Sequence, residues 1–221
     1  MLAAVAGVAV LAFAVMAWQV AKGGRLAQLD ERVSGVLVRH QPLRLSEALA
    51  DLGTVVVAVP VLAAAIGYAL ARRTWRGPLA AAVAMAAVPL CVVPLKAIFA
   101  RPGPMGEPLA GYSGYFPSGH AATAAVAYGA AALVLLPLLR TRDSRRLLGA
   151  AAAAIVAGNG LGLVWRGYHW PLDVLASWCL AVVLLCAVAC VSPRVGPRVG
   201  PSSRRTTSRT NSRLSSRPRG R

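Results

Sequence analysis

The sequence predicts an all-α protein. Six membrane-crossing helices form one bundle over residues 1–191, and a basic tail over 192–221 takes no fold. Three observations predict this. Hydrophobic residues make up 57% of the 221-residue chain and mean hydropathy is +0.60, above the range of an ordinary soluble domain. The apolar residues gather into six runs of roughly 20, the length that crosses a ~30 Å hydrocarbon core as a helix. The charged residues, Lys+Arg 24 and Asp+Glu 7, lie mostly between those runs. A formal charge of +17 does not mark a nucleic-acid-binding domain, because nine of the arginines fall between Arg194 and Arg221.

The first run, Leu2 to about Ala21, is preceded only by Met1 and lacks the basic n-region of a signal peptide, so it is read as an uncleaved helix. Residues 22–52 are polar, with Asp30, Glu31, Arg32, Arg39, His40, Arg44, Glu47 and Asp51. Within them Leu26, Leu29, Val33, Val36 and Leu37 recur at three- and four-residue steps, the pattern of an amphipathic helix lying on a membrane. His40 is read as an exposed bystander.

The second run is about 53–71, closed by Arg72-Arg73-Thr74-Trp75-Arg76. The third, 78–100, carries Pro89 and Pro94, which a packed bundle tolerates. After the Gly/Pro-rich loop 101–118 come runs at about 120–139, 147–165 and 171–191. Cys91, Cys179, Cys186 and Cys190 all fall inside apolar runs without metal or redox spacing, and are expected to be buried in packing. The tail is rich in Ser, Thr, Arg, Pro and Gly and repeats Arg-Val-Gly-Pro at 194–201. It buries nothing. A basic tail beside a bilayer suits anionic lipid headgroups, whereas nucleic acid is disfavoured because no aromatic side chain is interleaved for base stacking.

With six crossings the loops alternate between two sides. The side of the N-terminus, 72–77, 140–146 and the tail holds sixteen Lys and Arg and a single acid, Asp143. Lys and Arg concentrate on cytoplasmic loops, so both termini are predicted to be cytoplasmic in a plasma membrane. Lys96, Arg101, Ser118, His120, Arg166, His169 and Asp173 then all emerge on the extracytoplasmic face. Polar groups gathered at membrane depth are functional candidates.

Their chemistry is that of phosphoryl transfer. Ser118 suits the N-cap of the fourth run, and Gly119 lets a ligand approach the backbone. The first N–H groups of a helix are unpaired and partly positive, a ready anion site. His169 and Asp173 are four apart, with Pro171 fit for the first turn of the sixth run. A carboxylate there can accept a hydrogen bond from His169, fixing its tautomer and making the other ring nitrogen more nucleophilic. His120 can act as general acid, and Lys96, Arg101 and Arg166 can neutralise phosphate oxygens, with Ser118 and the Gly119 N–H as further donors. Two histidines and one carboxylate among three cations would make a poor metal site, so neither metal nor cofactor is expected. The plainer reading of the same residues is a capped helix with interfacial histidines.

These residues resemble the type 2 phosphatidic acid phosphatase superfamily, whose motifs are K-x6-R-P, P-S-G-H and S-R-x5-H-x3-D. Pro117-Ser118-Gly119-His120 matches the second motif completely, and His169 and Asp173 match the H-x3-D of the third. Lys96 and Pro104 match the ends of the first. The arginines depart from the pattern. Gly103 stands where the first motif has Arg, with Arg101 two residues earlier. Gly162 and Leu163 stand where the third has Ser-Arg, with Arg166 three residues later. The resemblance implies a membrane phosphatase in which His169 attacks phosphorus to form a phosphohistidine, Asp173 orients it, and His120 protonates the leaving oxygen. The implied substrate is a lipid phosphate or diphosphate, such as a polyprenyl diphosphate, phosphatidylglycerophosphate or phosphatidic acid.

The displaced arginines sustain an alternative, a catalytically impaired phospholipid-binding or scaffold protein. A vanadate-dependent peroxidase shares the motifs by resemblance but is soluble. A transporter would show an internal repeat or paired broken helices.

Overall fold

A computed structural model describes residues 1–39, 42–104 and 114–192; His40 and the tail from residue 193 lie outside the described residues. The chain folds as α1 (Leu2–Ala21), α2 (Arg25–Arg39), α3 (Leu43–Asp51), α4 (Val55–Ala71), α5 (Arg76–Phe99), α6 (Gly119–Leu135, extended by the 3-10 turn Leu136–Leu138), α7 (Arg142–Trp165) and α8 (Pro171–Val191). Among the described residues there is no strand. Five helices are long and apolar enough to cross a membrane, or six spans if α3 and α4, bent by 48° at a short break, count as one.

The axis of the bundle is α6, which packs against α4, α5, α7 and α8. Its side chains from Ala121 to Ala127 are all buried, and most of them are alanine. In lipid, association draws little from the hydrophobic effect and depends on close packing, so a helix of small side chains lets four neighbours approach it. On the periphery α1 lies along α8, and α3 lies against α7. The approach of α3 is close enough that a Cβ on Gly162 of α7 would stand 2.6 Å from the Ala50 amide nitrogen. Val8, Leu11, Val56, Leu90, Val93 and Leu147 remain exposed, forming the apolar outer surface that such a bundle offers to lipid.

Two expectations change. Residues 22–52 hold two helices rather than a loop with one, and α2 turns its small and polar stripe (Ala27, Asp30, Ser34) onto the protein. Leu26, Leu29, Val33 and Val36 point outward, as suits a helix at a membrane interface. The cysteines are not buried: Cys91, Cys179 and Cys186 are partly exposed and Cys190 is exposed, all as free thiols. An apolar run in a membrane helix faces lipid as readily as protein, so apolar surroundings in sequence do not imply burial.

Candidate active site

The site forms where the starts of α6 and α8 meet. Ser118 caps α6, its Oγ accepting the Ala121 N–H at 3.2 Å. The Ser118 N–H donates to the Asp173 carbonyl at 3.1 Å. From α8, the Ser177 hydroxyl lies 2.8 Å from the Ser118 carbonyl and 2.7 Å from that of Asp173. These contacts stitch the first turns of the two helices together. Behind them Phe116 is fully buried between Phe99 (ring centroids 4.9 Å) and Phe13 (5.9 Å). Tyr115 is tied to Arg101 by its N–H (3.0 Å to the carbonyl) and sets its ring edge-on to His169 at 5.7 Å.

His169 and Asp173 form a buried pair, with Nδ1 of the imidazole 3.3 Å from Asp173 Oδ2. The tight turn between α7 and α8 delivers His169, its N–H and that of Tyr168 both reaching back to the Leu163 carbonyl. Asp173 Oδ2 also accepts the Trp170 N–H at 3.1 Å, as an acidic residue at the third position of a helix does in a capping box. Asp173 Oδ1 takes Arg101 Nη1 at 2.7 Å, and Nη2 of the same guanidinium takes Asp30 Oδ2 at 2.8 Å. The other Asp30 oxygen accepts the Leu172 N–H at 2.8 Å, satisfying an end group of α8 from outside its own helix. Burial raises the Asp30 carboxyl above the ordinary carboxylate range, against the opposing pull of Arg101 and the Leu172 N–H.

Lys96, near the end of α5, is buried and donates to the Gly114 carbonyl at 3.0 Å. His120 is exposed and lies within electrostatic reach of His169, Lys96 and Asp51. Arg166 stands at the end of α7, its Nη2 3.3 Å from the Tyr168 hydroxyl. Its Nε is shielded and has no hydrogen-bond acceptor among the described residues. Lys96, Gly119 and His120 also line one end of a cavity of about 760 Å³ between α4, α5 and α6, whose walls are otherwise almost wholly apolar, including Val55, Leu62, Ile66, Met85 and Val92. That volume lies within the range of ligand pockets, about 300–1,000 Å³. Among the described residues, no group of three or more His, Cys, Asp or Glu is disposed to hold a metal ion.

The residues singled out in the sequence are thus brought to one end of the bundle. Asp30, Trp170 and Ser177 were not anticipated. Asp30 shares a stripe with Ala27 and Ser34 at helical spacing, but that pattern alone gave no indication that the stripe would dock on α8.

A membrane-embedded helical bundle with a buried His–Asp pair, a second histidine and basic side chains beside an apolar cavity defines a lipid phosphatase. The chain belongs to the PAP2 superfamily: a sequence model of that family matches residues 77–197, which include Lys96, Arg101, Ser118, Gly119, His120, Arg166, His169 and Asp173 but not Asp30. The fold is similar to the crystal structure of the first transmembrane PAP2-type phosphatidylglycerolphosphate phosphatase from Bacillus subtilis. The TM-score is 0.72 and the identity 26%, over 83% of this chain and 93% of that one. No curated protein matches the chain.

Proposed function

We propose that the protein is a metal-independent phosphatase of lipid phosphates or diphosphates, working through a phosphohistidine on the extracytoplasmic side of the plasma membrane. The observation that carries the reading is the cavity: Lys96, Gly119 and His120 at one end, and apolar walls within the bundle. Such a site fits a charged headgroup joined to a lipid chain. The similarity to a phosphatidylglycerolphosphate phosphatase supports a phospholipid monophosphate as the first substrate to try.

In this reading Asp173 holds the Nδ1–H of His169, leaving Nε2 to attack phosphorus. The bond from phosphorus to the lipid oxygen breaks, and that oxygen takes a proton from His120. Water then attacks the phosphohistidine with His120 as base, the P–N bond breaks, and inorganic phosphate leaves. Lys96, Arg166, the Ser118 hydroxyl and the Gly119 N–H neutralise the phosphoryl oxygens. The unpaired Arg166 Nε supports a ligand role for that residue. The tail would lie along anionic headgroups on the cytoplasmic side.

The test is phosphate release by the purified full chain in detergent from a panel of lipid phosphates, with EDTA throughout. Wild type should release phosphate and His169→Ala should not. Failure of every lipid with wild type would favour the phospholipid-binding protein instead.

A further inference from the structure

Asp30 lies on α2, outside the family match, and its side chain is 1% exposed. A carboxylate so deeply buried requires partners, and each of its oxygens has one: Arg101 Nη2 and the Leu172 N–H, both at 2.8 Å. Arg101 uses its two terminal nitrogens on two different carboxylates, Asp30 and Asp173, and its guanidinium stacks 5.2 Å above the Trp170 ring. Trp170 is held in turn by its Nε1–H on the Pro102 carbonyl at 2.9 Å. Asp173 then meets His169. The result is a continuous buried row, Asp30–Arg101–Asp173–His169.

Charge gives this row its meaning. Asp173 and Arg101 alone would be a neutral pair beside the imidazole, and the carboxylate would do little to favour positive charge on His169. A second carboxylate on the far side of Arg101 returns one net negative charge to the row. The Arg101 contact holds Oδ1 of Asp173 while His169 and the Trp170 N–H hold Oδ2, so both oxygens of the carboxylate are fixed.

We propose that Asp30 and Arg101 are positioning residues of the phosphatase: Asp30 holds and balances Arg101, which aligns Asp173 on His169, and phosphate binding falls to the other cations. The proposal rests on His169 being the nucleophile. It assigns Arg101 a role distinct from that of a phosphate ligand, and gives α2 a part in catalysis.

The test measures kcat and KM on dioctanoyl phosphatidic acid, and inhibition by inorganic phosphate, for wild type, Asp30→Asn and Arg101→Lys. Asn at 30 keeps an oxygen for the Leu172 N–H, and removes both the charge and the acceptor that Arg101 uses. Lys at 101 keeps the charge and removes the fork. Both variants should lose about tenfold to a hundredfold in kcat, as outer-shell substitutions do, with KM and the phosphate inhibition constant unchanged. A purely structural Asp30 would lower the melting temperature and leave kcat intact, which overturns the proposal. A higher KM or weaker phosphate inhibition in Arg101→Lys would make Arg101 a phosphate ligand and also overturn it. If Asp30→Asn does not survive extraction, the same split in Arg101→Lys decides. No release by wild type would overturn the reading of the site itself, and this inference with it, a result distinct from loss in the variants alone.

Discussion

Asp173 shares one carboxylate among three donors: His169, the Trp170 N–H and Arg101. The His169 contact is local, at four residues' separation, and was legible from spacing, whereas the Trp170 N–H, three residues away, was not anticipated. The third spans 72 residues and was not legible either. Arg101 reaches it because α5 ends on Ala100 in a left-handed conformation (φ 40, ψ 33), a turn that sequence would sooner assign to glycine. Removing Arg101 leaves two buried carboxylates facing each other without a cation. Arg101→Ala should therefore cost about 3–5 kcal/mol of stability, as breaking buried ion pairs does, read by unfolding in detergent. Arg166 differs, because among the described residues its side chain forms no ion pair and its one hydrogen bond is to the exposed Tyr168, whose ring it also overlies. In the proposed reading, Arg166→Ala should leave the melting temperature near wild type. It should raise KM for a lipid phosphate roughly tenfold, because a charge-assisted hydrogen bond to the headgroup is lost.

At the level of elements, hydrophobic length alone located the apolar helices to within a few residues of where they start and stop. It could not say which face of each helix meets protein. In α2 the apolar stripe turns outward and the stripe bearing Asp30 turns inward, the reverse of a helix in a soluble core. The nine-residue α3 was missed because it is short, polar and follows Pro42, with no apolar run to announce it. Its place is set instead by a gap on α7, where Gly162 faces the Ala50 amide and Asn159 donates to the Leu49 and Ala50 carbonyls at 3.1 and 2.9 Å. Gly162→Val should force α3 away and destabilise the protein by about 1–3 kcal/mol, the usual cost of overpacking. A melting curve in detergent checks it.

For the whole molecule, the α6 start, the α7–α8 turn and the end of α5 bring their polar groups to one end of the bundle, while the basic 72–77 and 140–146 loops belong to the other end. In the proposed reading those loops face the cytoplasm, the side the positive-inside rule assigns to them. In a cysteine-free background, a thiol at Ser144 should therefore be labelled only from the cytoplasmic side, and one at Tyr168 only from outside. If His169 carries the phosphoryl group, the phosphohistidine can be trapped. Wild type should be quenched during turnover of a lipid phosphate labelled in its phosphoryl group. An acid-labile label should appear on the peptide containing His169 and be absent in His169→Ala. Turnover without any labelled histidine, or a label that persists in His169→Ala, would contradict this role for His169.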